Sequence, residues 1–248
     1  MARKNRAASS IKTSISAISS IHNLLFGSDP AKSFLIVRSL KGLDKLAKER
    51  STLLPISKLL LASIISHLDL LDIPRFDRFA AKALFTLAYK GCFRIGELVI
   101  SDSGQHSARI ENFSIISTPS GKELKISLPS YKHHAAPALI VIKQSCHETC
   151  PILHLEKYLS IRPHRPGLLF INKYGIPYAR PQVAELLKKV LRQLVPNPWR
   201  YNTHSFRIGR TSDLVSQGVP ESILQQVGRW RSLAYRKYFR TQAFLMPE

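Results

Sequence analysis

The chain has 248 residues, is 44% hydrophobic, and carries 37 Lys and Arg against 16 Asp and Glu, a formal net charge of +21. No run of about 18 apolar residues occurs, so a membrane-spanning helix is not expected. The basic N-terminus lacks the apolar stretch of a secretory signal, and three cysteines suit a reducing compartment better than a disulfide scaffold. The positive charge is spread: residues 1–50 hold ten Lys and Arg to three acids, and residues 151–248 hold sixteen to five. That is the footprint of a body gripping a long polyanion, not of one basic arm on a neutral domain.

Taken in order, Ile11, Ile15, Ile18 and Ile21 recur at helical spacing and predict an amphipathic helix. Gly27-Ser28-Asp29-Pro30 ends it and opens another helix running to about Val37, with Leu43 to Lys48 as a further stretch. These residues read as a small, basic, helical segment at 1–50, part of a longer domain. Pro55 opens a helix from Ile56 to about Leu68, and residues 75–91 read as a long apolar helix that Gly91 breaks. The period then changes: residues 110–117 and 122–128 alternate around Thr118-Pro119-Ser120-Gly121, a hairpin signature, and Ala138 to Ile142 is a third strand. Helices resume at 152–160, 181–194, 204–217 and 220–227, with Gly218 closing one and Pro220 opening the next. Helices, a small antiparallel sheet, then helices again make an α+β fold. No internal repeat and no Walker or dinucleotide loop is present.

The chemistry concentrates near the C-terminus. Thr203-His204-Ser205-Phe206-Arg207 sets a histidine and an arginine one helical turn apart, and Thr203 is placed to cap that helix, whose N-terminal end favours a phosphate. Tyr238, in Arg236-Lys237-Tyr238-Phe239-Arg240, follows 31 residues after Arg207, just past Gly228-Arg229-Trp230. A tyrosine hydroxyl beside convergent cations is equipment for attacking a phosphodiester. Such a transfer needs the non-bridging oxygens neutralised, a proton for the leaving 5′-oxygen, and an in-line nucleophile. Arginine suits the first need because its planar fork binds two oxygens and stays charged. Upstream, Arg94 lies in Phe93-Arg94-Ile95-Gly96-Glu97-Leu98; alone it reads as a helix arginine paired with Glu97 at i,i+3. Cys146, His147 and Cys150 sit together, but a zinc site wants a second pair of ligands and none stands out, so no metal and no cofactor are expected.

The order Arg94, Lys132, His204-x-x-Arg207, Gly228-Arg229-Trp230, Tyr238 resembles the active site of the tyrosine recombinases, the phage-integrase family. The resemblance covers residues 51–248; residues 1–50 are similar to only the last part of that family's helical core-binding domain. It implies a mainly helical catalytic domain with a small antiparallel sheet. Arg94, His204 and Arg207 would clamp the scissile phosphate, and Glu97 would brace the site. Lys132, in the turn between two strands, would be the general acid, with Lys122 and Lys125 as weaker rivals. Trp230 fills the family's phosphate-contact position by its indole donor, although the spacing to the tyrosine favours Arg229, kept as an auxiliary contact. Arg229, His133, His134 and Arg210 are further DNA-contact candidates. Tyr238 would be the nucleophile, with Tyr235 as competitor.

Gly-Arg-Trp and the tract from Gly42 to Leu60 are similar to the recombinases of DIRS-type eukaryotic mobile elements. The resemblance then implies a 3′-phosphotyrosyl link to double-stranded DNA, without ATP or metal, and integration of a circular DNA intermediate. It also implies a homotetramer that exchanges C-terminal segments such as Ala243 to Met246. The location would be nuclear in a eukaryote and otherwise cytoplasmic, at the nucleoid. A type IB topoisomerase and a DNA-binding remnant without catalysis stay open as alternatives.

Overall fold

The structure of the chain is a computed structural model, and it describes residues 8–46, 53–100, 107–128, 137–230 and 236. Two compact units are present, Met1–Thr52 and Leu53–Glu248.

In the first unit, α1 (Ala8–Phe26) carries the isoleucine stripe and stops at Gly27, whose φ of +65° lets its N–H donate to the Asn23 carbonyl at 3.0 Å. The Asp29 carboxylate then accepts from the Ala31 N–H at 3.0 Å and caps a short 3-10 turn, Pro30–Lys32. From there α2 (Phe34–Leu46) runs unbroken. The sequence had suggested two stretches; Gly42 is instead carried inside one helix, where glycine costs about 1 kcal/mol without breaking it.

The second unit opens with an extended segment. Leu54 donates to the Arg200 carbonyl at 2.8 Å and Ile56 to the Ser205 carbonyl at 3.0 Å. The helix expected from Ile56 therefore begins two residues later, as α3 (Lys58–His67), capped by the Ser57 hydroxyl accepting from the Leu60 N–H at 3.2 Å. Next comes α4 (Arg75–Lys90), the axis of the unit. Every residue from Ala80 to Tyr89 is buried, so the helix is packed on all sides rather than on one stripe. One turn of helix, α5 (Ile95–Leu98), follows it.

The sheet is the predicted meander. Strands β1 (Phe113–Thr118) and β2 (Gly121–Leu128) pair antiparallel with Thr118 opposite Gly121, and β3 (Ala138–Lys143) pairs with the other edge of β2, Leu128 opposite Ala138. Leu124, Ile126 and Leu128 alternate inward along β2 and join the core. Four helices complete the unit: α6 (Pro151–Leu159), α7 (Arg180–Leu194), α8 (Ser205–Ser216) and α9 (Glu221–Gly228). Phe85 of α4 meets Phe206 of α8 with ring centroids 5.1 Å apart, and Tyr158 of α6 stacks on Phe170 at 5.6 Å. The architecture is α+β, mainly helical with a small three-stranded antiparallel sheet. Among the described residues, no helix is long and apolar enough to cross a membrane.

One close approach fixes α8. At Gly209 a Cβ would collide with the backbone carbonyl of Ile56, the residue that donates to Ser205 at the start of the same helix. Glycine lets the extended segment lie against α8, so the helix cannot slide along it. Gly209→Ala is expected to destabilise the protein by about 1–3 kcal/mol, because overpacked backbone must move. Urea denaturation checks this; an unchanged midpoint would mean the contact is slack.

Candidate active site

The site is assembled from two helix ends and one helix start. At the end of α4, Cys92 donates to the Tyr89 carbonyl at 3.1 Å and Phe93 to the Ala88 carbonyl at 3.0 Å. At the end of α9, Arg229 donates to Gln226 at 3.1 Å and Trp230 to Gln225 at 3.0 Å. This pair of bonds is the Schellman arrangement, which needs a left-handed residue and usually takes glycine. α8 follows that habit with Gly218 at φ +71°. The two ends at the site do not: Cys92 has φ +50° and Arg229 φ +55°. A left-handed non-glycine residue costs about 1–2 kcal/mol, and here both are held by what they touch.

The Cys92 carbonyl accepts from Arg207 Nη1 at 2.8 Å and from Arg229 Nη2 at 3.2 Å. Arg229 turns into the protein, 8% exposed. Its Nη1 donates to the Gly91 carbonyl at 3.0 Å, its Nη2 to Glu97 Oε2 at 2.8 Å, and its guanidinium lies 4.9 Å from the centre of the Phe93 ring. This residue, expected as a DNA contact, is thus engaged by the interior, because the left-handed turn swings its side chain back over α5.

Glu97 is the hub. It is 4% exposed, and its carboxylate also accepts from Arg94 Nη1 at 2.9 Å and from the Arg94 N–H at 3.0 Å. Burial works against its ionisation, but Arg229, Arg207 and Arg94 outweigh that and hold its pKa below the ordinary value. The i,i+3 pairing of Arg94 with Glu97 is therefore present, yet Arg94 is not merely a surface ion pair: its side chain remains 31% exposed over a buried cationic cluster.

At the start of α8 the N-cap is His204, without a side-chain capping bond, and the turn leading into it is shaped by Asn202. Its side-chain carbonyl accepts from the His204 N–H at 2.7 Å, and the Ser205 hydroxyl accepts from the Asn202 N–H at 3.1 Å. Half-buried His204 has its pKa pushed down to about 4, first by burial and then by Arg207 and Arg94, so its imidazole is neutral at physiological pH. Arg207, one turn on, is fully buried. Its Nη2 donates to the Gly228 carbonyl, its Nε is buried without a hydrogen-bond partner, and the Trp230 ring lies 4.5 Å from its guanidinium carbon. Gly228 makes that cover possible, since a Cβ there would collide with the indole.

Arg94, His204, Arg207, Arg229 and Trp230 are thus brought together from two regions more than a hundred residues apart in sequence. Arg210, one turn beyond Arg207, faces elsewhere and lines a cleft with Lys90. Lys122 is committed to Glu156, Nζ to Oε1 at 2.5 Å. Lys132, His133, His134, Tyr235, Tyr238 and the segment Ala243 to Met246 lie outside the described residues. Among the described residues, no three His, Cys, Asp or Glu side chains gather as metal ligands; Cys150 is buried at the start of α6, Cys146 is exposed, and His147 Nε2 lies 3.2 Å from Lys58 Nζ. Two participants escaped the sequence reading. The Cys92 carbonyl had only the preceding Gly91 as a signal, and the inward turn of Arg229 had none.

No protein-family model and no curated protein sequence matches the chain. Solved structures do. The XerH site-specific recombinase bound to difH substrate matches with a TM-score of 0.56 at 14% identity, over 85% of this chain. The Tn1549 transposon integrase in complex with circular intermediate DNA matches at 0.60 and 14%, over 98% of this chain and 80% of its own. XerA recombinase matches at 0.57 and 14%, over 95% of this chain and 83% of its own. The chain spans 62% of the length of the XerH chain.

Two consequences can be measured. Arg229→Gln removes one partner of a buried ion pair and is expected to cost about 3–5 kcal/mol in urea denaturation; a loss below about 1 kcal/mol would put the pair in the class of surface ion pairs. The second concerns pH. Burial lifts the Asp213 carboxyl to about 6, while Tyr89 donates its hydroxyl to it. A raised pKa gives stability that is present below the unfolded value and lost as pH rises through about 6. His204 has the opposite sign: its contribution is present above the unfolded value and lost as pH falls through about 4. Between these limits the two oppose each other. Asp213→Asn should therefore gain stability relative to wild type as pH rises from about 4 to 7; a pH-independent difference would contradict the assigned shift. The described unit has the fold of the tyrosine recombinase catalytic domain.

Proposed function

We propose that this chain cleaves and rejoins DNA strands through a covalent 3′-phosphotyrosyl intermediate. The observation that carries the reading is the cationic cluster: Arg94, Arg207 and Arg229, from separate parts of the sequence, converge around one buried carboxylate, with neutral His204 beside Arg94 and Arg207. A cluster with more guanidinium than carboxylate leaves positive charge available to a phosphate. The shared fold supports the reading, and the XerH and Tn1549 integrase neighbours are structures with DNA.

In this proposal Arg94, the partly exposed cation, meets the non-bridging oxygens first. Neutral His204 donates or accepts a hydrogen bond at the same phosphate without adding charge. Tyr238 oxygen attacks phosphorus as its hydroxyl proton passes to neutral His204, the P–O5′ bond breaks, and Lys132 gives a proton to the departing 5′-oxygen. The 5′-hydroxyl of a partner strand reverses the step, so the phosphodiester energy is conserved and neither ATP nor a metal is called on. Glu97 and Arg229 position these groups and touch no substrate. A homotetramer on two duplexes, a DIRS-type mobile element as the source, and a nuclear location in a eukaryotic host belong to the same proposal.

A second reading is favoured by one observation. Arg207 is fully buried beneath Trp230, with its Nη atoms given to backbone carbonyls. A chain that binds DNA without cutting it would tolerate such an arrangement.

Covalent trapping separates the two. A nicked suicide duplex carrying the genomic sequence beside the gene is incubated with wild type, Tyr238→Phe, Tyr235→Phe and Arg207→Ala. We expect a denaturation-resistant adduct with wild type, none with Tyr238→Phe, and about 10²–10³-fold slower adduct formation with Arg207→Ala at similar DNA affinity. Loss only in Tyr235→Phe would move the nucleophile. Tight binding with no wild-type adduct would favour the second reading.

A further inference from the structure

A cleft of about 350 Å³ opens where four elements meet. Lys90 and Gly91 close it at the end of α4, strand β3 from Leu139 to Lys143 forms one wall, Arg210 enters from α8, and Gln226 from α9. Three of its lining side chains are cations, and no carboxylate is found among the described residues that line it. Of the described residues assigned above to strand cleavage, Arg94, His204 and Arg207 do not line it.

Two of the three cations, Lys90 and Arg210, are not arranged as solvated surface charge. Arg210 is half-buried, and its Nε is buried without a hydrogen-bond partner. Lys90 is half-buried beside it, while Lys143 stands exposed at the rim. Burial lowers the proton affinity of Lys90, and Arg210 and Lys58 lower it further by repulsion; burial also lowers that of Arg210. Glu123 stands across the strand from Lys143, but no carboxylate among the described residues lines the cleft beside Lys90 and Arg210; like charges half-buried together in this way destabilise the fold, and they persist where an anion relieves them. The opposite wall has another character. Leu139 and Val141 of β3 are exposed and apolar, a surface for the organic part of a ligand.

We propose that this cleft binds a phosphate ester, its oxyanion held by Arg210, Lys90 and Lys143, with the Gln226 amide as a further donor and the organic portion against β3. Arginine supplies the planar fork, and the two lysines supply point charge from different directions. The ester is either a free small molecule or a backbone phosphate of nucleic acid. Occupancy would tie the end of α4, the start of α9's final turn and the sheet edge together. Gly91 and Val227, whose carbonyls hold Arg229, are part of the same lining.

The test uses the full chain and inorganic phosphate at constant ionic strength, followed by ³¹P line broadening in the absence of DNA. Saturable binding is expected, weakened about tenfold or more by Arg210→Gln, as for loss of a charged hydrogen bond. Lys143→Gln, at an exposed strand position, gives the same readout should Arg210→Gln fail to fold. Arg192→Gln, an exposed arginine of α7, is expected to leave binding unchanged. Duplex DNA binding against salt then identifies the source. A slope reduced by about one in Lys143→Gln and Arg210→Gln marks a backbone phosphate. An unchanged slope, with phosphate binding lost, marks a free phosphate ester. No saturable phosphate binding together with unchanged slopes would overturn the proposal. None of these readouts depends on strand cleavage.

Discussion

Glu97 is ionised inside the protein because three guanidinium groups surround it, and the rest of the site is arranged by that fact. A lone buried carboxylate would take up a proton rather than stay charged. Here Arg94 reaches it from the preceding turn, Arg229 from the far end of α9, and Arg207 adds its field from α8. The same carboxylate keeps the three arginines from driving one another apart. What remains is a compact region of positive potential whose one partly exposed arginine, Arg94, faces outward. The ion pairs that hold this part of the fold and the cluster proposed to meet a phosphate are the same residues.

The backbone bears part of the cost. Both non-glycine residues with left-handed φ among the described residues, Cys92 and Arg229, end the helices that bring Arg94 and Trp230 to the cluster. Their carbonyls and side chains close on each other: Cys92 accepts from both arginines, and Arg229 reaches Glu97. Backbone strain of this kind persists where surrounding contacts over-determine it and collects at functional sites. The Gly209 contact with Ile56 locks α8, and with it His204 and Arg207, at the correct height.

Much of this was legible in the sequence, for physical reasons. The long apolar stretch at 75–91, the alternating hairpin around Pro119-Ser120 and the Gly218 stop depend on local periodicity and turn chemistry, which a sequence displays directly. The convergence of Arg94 with His204 and Arg207 was legible only through the resemblance of ordered motifs. What escaped depended on tertiary context. Whether Gly228-Arg229-Trp230 offers its arginine or its indole turns on a left-handed φ at a position where glycine is the usual sign, so composition pointed nowhere. The start of α3 shifted by two residues because Ile56 is used to bond Ser205, a partner distant in sequence. The N-cap position fell to His204 and not Thr203, with Asn202 closing the preceding turn, because three polar residues in a row offer equivalent local solutions.

The account stands on the claim that the Glu97 charge gathers the cations for action at a phosphate, beyond holding the fold together. The most direct measurement is the single-turnover cleavage rate of Glu97→Gln on nicked duplex DNA, read beside its DNA affinity and its fraction folded. The account predicts a folded protein with near-normal affinity and cleavage slowed by about 10²-fold, the scale of losing one preorganised electrostatic contact. Cleavage at the wild-type rate in Glu97→Gln would contradict it.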